Sequence, residues 1–223
     1  MNTWIKTCGM TNAEDAIAAA QLGADAVGLV FHGPSSRCCP PNEATRIMAQ
    51  LPPECAVVGV WLEESAAEII KIAATLRLSS IQTYSPAAAG ELAQAGYNVI
   101  PAIRLTGPAA KVAEWARLLE SGRFARMIVD YRGCKNPVGT WDAADLVPFR
   151  GRTSVVLAGG LTDENVAVAL QRCEPDGVDV ASGIEGSPGK KDHQKMKRFM
   201  QEVREWDARV SSENSAGASF PKR

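Results

Sequence analysis

Residues Trp4 to Phe31 read WIKTCGMTNAEDAIAAAQLGADAVGLVF. Two short apolar runs, Trp4–Thr7 and Ala26–Phe31, flank a segment that opens with Thr11-Asn12-Ala13-Glu14-Asp15, continues through Ala16–Leu22 and stops at Gly23. Thr and Asn favour a helix cap, acids favour the first turn, and Gly ends the helix. Near-continuous Val, Ile and Leu suit strands buried on both faces of a parallel sheet. The stretch is a strand–helix–strand unit.

The unit recurs along the chain. Further strands are predicted at Ala56–Trp61, Ser80–Thr83, Asn98–Ile103, Met127–Asp130, Ser154–Ala158 and Gly177–Ala181. Helices are predicted at Asn42–Gln50, Ser65–Leu76, Ala87–Gln94, Ala109–Leu119, Asp142–Val147, Thr162–Leu170 and Asp192–Trp206. Pro108 stands just ahead of the fifth helix and Gly122 just after it. Eight strand–helix units in succession predict an α/β fold of the closed (β/α)8, or TIM, barrel type. An open doubly wound sheet is the alternative, but no Gly-x-Gly-x-x-Gly follows the first strand. One domain is expected over residues 1–209. Residues 210–223 are rich in Ser, Gly, Asn and Lys and are expected to form a disordered tail.

The chain has 223 residues and a formal net charge of -1, so it lacks the basic field of a nucleic-acid binder. No apolar run is long enough to span a membrane. The start of the chain shows no basic stretch leading into a long apolar segment, so no secretory signal is expected and the cytoplasm is the expected location. The six cysteines include no Cys-x-x-Cys pair, and His32 and His193 are the only histidines. No metal site is expected, and most of the cysteines read as small buried hydrophobes or idle thiols.

In barrels of this type, chemistry gathers where strands end on their C-terminal side. Strand 1 ends at Cys8, where a thiol beside a lysine can act as a base; a packing cysteine is the other reading. Strand 6 closes on Asp130, a candidate acid or base, or else a capping carboxylate. Strands 7 and 8 lead into turns carrying Gly159, Gly160, Ser182 and Gly183. Such turns let backbone N–H groups approach a phosphate, and they could equally be tight turns that need glycine. Arg37 is a candidate for holding a substrate carboxylate, or a free surface arginine. Lys190 and Lys191 read as a solvated helix entrance more readily than as a source of positive potential. His193 is expected on the surface of the last helix, His32 near the mouth, and neither is assigned to catalysis.

These residues carry a family likeness. Lys6-Thr7-Cys8-Gly9-Met10-Thr11, Gly23–Phe31, Ser36-Arg37, Ala158-Gly159-Gly160-Leu161, Glu164-Asn165-Val166, Val178–Glu185 and Pro188–Asp192 together resemble the phosphoribosylanthranilate isomerases. The likeness runs in order up to the tail. It implies an isomerase of tryptophan synthesis that works by an acid/base Amadori rearrangement, without cofactor or metal, as a monomer or homodimer. It further implies that Cys8 is the general base, Asp130 the general acid, and the turns after strands 7 and 8 the phosphate site. Arg37 and Tyr84 would bind the remainder of the substrate.

Two departures stand out. The family's Gln-Leu-His-Gly run is here Gln82-Thr83-Tyr84-Ser85, and its Gly-rich loop after strand 6 is here Gly133–Thr140. A paralogue that isomerises or binds another phosphorylated aminosugar is the alternative. An epimerase would want metal-ligating histidines at strand ends. A Schiff-base aldolase would want a lysine on an inner strand other than the first. Neither is found.

Overall fold

The computed structural model describes residues 2–105, 109–131 and 141–217. The barrel strands are β1 (Trp4–Cys8), β2 (Ala26–Val30), β3 (Ala56–Val60), β4 (Ser80–Thr83), β5 (Asn98–Arg104), β6 (Arg126–Asp130), β7 (Ser154–Ala158) and β8 (Gly177–Val180). They pair in sequence order, all parallel, and β1 against β8 closes the ring through Trp4↔Gly177, Ile5↔Val178, Lys6↔Asp179 and Thr7↔Val180. The fold is the expected closed barrel. At the closing seam, a Cβ on Gly177 would stand 2.7 Å from the Trp4 carbonyl oxygen, so only glycine lets these strands meet.

The helices are α1 (Ala13–Gln21), α2 (Pro41–Met48), α3 (Ala66–Leu76), α4 (Pro86–Gln94), α5 (Ala109–Leu119), α6 (Val166–Cys173) and α7 (His193–Gly217). Their starts follow local chemistry. Asn12 accepts the Asp15 N–H at the head of α1. Ser65 and Glu68 form a reciprocal capping box on α3. Ser85 caps α4, with Pro86 at its first position.

Three elements depart from the sequence reading. Residues 142–147 hold a 3-10 turn, Ala143–Leu146, in place of an α-helix. The helix expected from Thr162 begins at Val166, because the Thr162 N–H bonds the Asn165 side chain at 2.8 Å and holds the segment as a turn. The last helix does not stop at Trp206. It continues to Gly217, so residues 210–217, expected to be disordered, are helical. Extending an existing helix costs far less than nucleating one, and Ala208, Arg209 and Glu213 are helix formers. Pro108, the loop 132–140 with Cys134, and the end of the tail from 218 lie outside the described residues.

Side chains alternate across each strand, which splits the core in two. Outward-facing residues such as Ile5, Val27, Leu29 and Val129 pack under the helices. Inward-facing Ala26, Val58, Ile100, Ile128 and Val156 fill the barrel. The same alternation carries Cys8 and Ala158 into the upper interior, at the C-terminal ends of their strands.

Candidate active site

A cavity of about 360 Å³ opens at the C-terminal mouth, lined by Cys8, Arg37, Tyr84, Asp130, Gly160 and Ser182 among others. Strand order puts β7 and β8 between β6 and β1. The glycine turns after β7 and β8 therefore stand between Asp130 on one side and Cys8 on the other.

Cys8 lies in a cationic setting. Lys6, two residues earlier on the same face of β1, is fully buried and donates to Asp179 Oδ1 at 2.9 Å. Burial opposes its charge, yet Asp179 and the Cys8 thiol hold its pKa above the ordinary lysine value. A Cβ on Gly28 would stand 2.8 Å from Cys8 Sγ and 3.2 Å from Lys6 Nζ. Glycine on β2 makes room for thiol and ammonium together. Under the helices, burial pushes Cys39 up to about 12 and Cys55 up to about 11, which leaves them inert thiols.

Arg37 is not free. Its Nε and Nη2 donate to the two oxygens of Glu185 at 2.7 and 2.6 Å. Its stem packs on Gly9, where a Cβ would meet Arg37 Cδ at 2.6 Å and where φ is +78°. Glu185 begins a small ribbon of β9 (Glu185–Ser187) and β10 (Lys190–Lys191). Lys191 is buried and donates to Glu185 at 3.1 Å, to the Cys8 carbonyl at 2.7 Å and to the Ala181 carbonyl at 3.0 Å. Burial works against the Glu185 charge, but Arg37 and Lys191 pull its pKa below the usual carboxylate value. The expectation of a solvated helix entrance is corrected for Lys191: it ties the end of β1 to the turn after β8. Lys190 is exposed.

On the opposite rim, Asp130 closes β6 and is 1% exposed. Tyr84 donates its hydroxyl to Asp130 Oδ2 at 2.9 Å. Arg104 Nε stands 3.9 Å from the same oxygen, and the Arg104 guanidinium lies 5.1 Å over the Tyr84 ring. The Tyr84 hydroxyl thus reaches the carboxylate, while its ring lines the cavity. Beside it, the buried Gln82 Oε1 has no hydrogen-bond partner among the described residues.

At the two turns, Gly159 and Gly160 hold φ of 91° and 73°, a conformation favoured by glycine. Gly159, Gly160 and Ser182 line the cavity. Gly183 does something else: a Cβ there would fall 1.8 Å from the Leu161 carbonyl oxygen, so it lets the turns pack together. Asn165 Nδ2 donates to the Gly160 carbonyl at 2.9 Å and braces the first turn. Trp141, buried nearby, donates to the Gly159 carbonyl at 3.2 Å.

His32 lines the cavity and pairs through Nδ1 with Glu64 at 2.7 Å. His193, half-buried rather than free on its helix surface, pairs through Nε2 with Asp15 at 2.8 Å. Among the described residues no group of three or more His, Cys, Asp or Glu is placed to hold a metal ion, and no helix is long and apolar enough to cross a membrane.

Sequence reasoning picked out a lysine beside Cys8 and weighed Lys191 as a charge near the site. It saw Gly28, Glu185 and Asn165 only as members of motifs and missed Arg104, because nothing local to β5 records the contact with Asp130.

Known proteins point the same way. The sequence profile of the N-(5'-phosphoribosyl)anthranilate (PRA) isomerase family matches residues 5–202. The N-(5'-phosphoribosyl)anthranilate isomerase of Nitrosococcus oceani is 37% identical over 205 residues, covering 91% of this chain and 98% of that protein. A phosphoribosyl anthranilate isomerase solved with reduced 1-(o-carboxyphenylamino)-1-deoxyribulose 5-phosphate superposes with a TM-score of 0.76 at 33% identity, over 91% of this chain and 99% of that one. The enzyme from Thermus thermophilus gives a TM-score of 0.77 at 30% identity, over 91% and 99%. With the fold matched and the family profile and a 37% identical relative spanning about nine-tenths of its length, the chain belongs to the N-(5'-phosphoribosyl)anthranilate isomerase family.

Proposed function

We propose that Cys8 and Asp130 are the base and acid of an Amadori rearrangement converting N-(5'-phosphoribosyl)anthranilate into 1-(2-carboxyphenylamino)-1-deoxyribulose 5-phosphate. One observation carries the assignment of roles: both residues line one cavity, with the glycine turns of β7 and β8 between them.

A phosphate held at Gly159, Gly160, Ser182 and Gly183 would leave the ribose spanning the mouth. Asp130 protonates the ring oxygen. The C1′–O bond breaks onto that oxygen, and the anthranilate nitrogen lone pair forms the C1′=N bond of a protonated Schiff base. The Cys8 thiolate then removes the C2′ proton, and the electron pair left behind gives the enolamine, which tautomerises to the ketone. Lys6 and Lys191 supply the positive field around Cys8. Arg37 faces the ring carboxylate with the guanidinium edge that Glu185 leaves open. Tyr84 contributes its ring to the wall on the aromatic side. This chemistry needs neither a cofactor nor a metal. We also propose that the enzyme works in the cytoplasm, as a monomer or homodimer acting on a small phosphorylated substrate, a reading that its biosynthetic family supports.

Steady-state turnover of N-(5'-phosphoribosyl)anthranilate by the purified protein tests the reading. Saturable conversion is expected. A folded protein with reduced Cys8 and no turnover would overturn it in favour of the paralogue acting on another phosphorylated aminosugar.

A further inference from the structure

The tyrosine in place of the family's histidine is not simply a lost or exchanged contact. Two side chains from neighbouring strand ends approach one carboxyl oxygen: Tyr84 Oη lies 2.9 Å from Asp130 Oδ2, and Arg104 Nε lies 3.9 Å from it. Arg104 stacks over the Tyr84 ring at 5.1 Å, so the cation fixes the ring that fixes the carboxyl. Asp130 is almost wholly buried, and its surroundings rather than water must therefore stabilise its charged form.

We infer that Tyr84 is a positioning residue for the general acid, orienting the Asp130 carboxyl group through Oδ2 and stabilising the carboxylate that remains once the proton has left. The inference rests on Asp130 being the acid. When the acid's proton passes to the ribose ring oxygen, the C1′–O bond electrons move to that oxygen and the negative charge stays on Asp130. The Tyr84 hydrogen bond and the Arg104 cation then strengthen, as pre-oriented donors do where charge develops. Tyr84 acts mainly on the transition state and little on substrate affinity, so its removal should show in kcat.

The test is Tyr84→Phe, which keeps the ring and removes only the hydroxyl, in both the wild-type and the Asp130→Asn background, with each protein checked for an unchanged melting curve. In the wild-type background kcat should fall by about tenfold to a hundredfold, the usual worth of a hydrogen bond to a charged group, while KM moves less than about threefold. In the Asp130→Asn background the same change should cost almost nothing further, because the group that it serves is gone. A raised KM with kcat unchanged would make Tyr84 a binding residue and overturn the inference. An equal loss in both backgrounds would overturn it in favour of a general structural role. If Asp130→Asn itself keeps full turnover, the acid assignment fails, and that result is distinct from either of these.

Discussion

The two rims of the mouth are built differently. On the β1/β8 side the named charges are paired: Lys6 to Asp179, Arg37 to both oxygens of Glu185, Lys191 to Glu185 and to two strand-end carbonyls. The glycines there are sites where backbone or side chains touch too closely for a Cβ. On the β4–β6 side Tyr84 donates its hydroxyl to Asp130, and Arg104 stands 3.9 Å from the same oxygen. Tyr84, a departure from the family pattern, lies on this second side. A rim whose members depend on one another through buried ion pairs tolerates little change, because removing one partner strands another charge. A rim held by a hydrogen bond can exchange one donor for another and still hold its carboxylate.

The largest effect expected is the loss of either proton-transfer group. Cys8→Ser and Asp130→Asn should each lower kcat by roughly 10²–10⁴-fold with the fold intact. Stopped or steady-state assays with matched circular dichroism check this. Near wild-type turnover in Cys8→Ser would remove the locked rim from the chemistry altogether.

Next comes the contact between the glycine turns. Gly183→Ala places a methyl group where the Leu161 carbonyl oxygen stands at 1.8 Å, so one turn must move. Displacement of this order should cost about 10²-fold in kcat/KM, mostly through KM, with weaker inhibition by inorganic phosphate. Unchanged phosphate inhibition would separate the turns from the anchoring role.

A smaller, thermodynamic effect tests the lock itself. Glu185→Gln leaves Lys191 buried without its counter-charge and should destabilise by about 3 kcal/mol in urea unfolding. The sign of the pH dependence follows from the lowered Glu185 pKa. Its contribution is present above the unfolded value, about 4.3, and is lost as pH falls through the lower folded value. The gap between wild type and Glu185→Gln should therefore narrow as the solution is acidified. A constant gap would mean that packing rather than charge holds this rim.

The smallest effect is a control at the other end of the barrel. Val210 and Glu213 border a groove with Asn2, Thr3 and Glu174, by the strand starts and far from both rims. Deleting residues 211–223 should leave kcat and KM unchanged and shift Tm by less than about 3 °C, since residues 211–213 are exposed. A large loss would show that the end of α7 stabilises the barrel beyond its exposed helical turns.

Much of this was legible along the chain because it is encoded locally. The strand runs, the caps at Asn12, Ser65 and Ser85, and polar residues closing apolar strands at Cys8 and Asp130 are signals carried by a few adjacent residues. The end of α7 departs from its composition for a local reason too: residues 210–217 are mostly polar, yet extending a helix already formed costs little. The sequence by itself determined the repeating strand–helix order, hence the barrel, and which strand ends carry reactive groups. Only the tertiary structure decided what those groups touch. Lys6 meets Asp179 across 173 residues and Arg37 meets Glu185 across 148, and Tyr84 meets Asp130 across 46. Such pairings arise when barrel closure brings distant strand ends within a few ångströms, and no local pattern records a distance that exists only once the ring is shut.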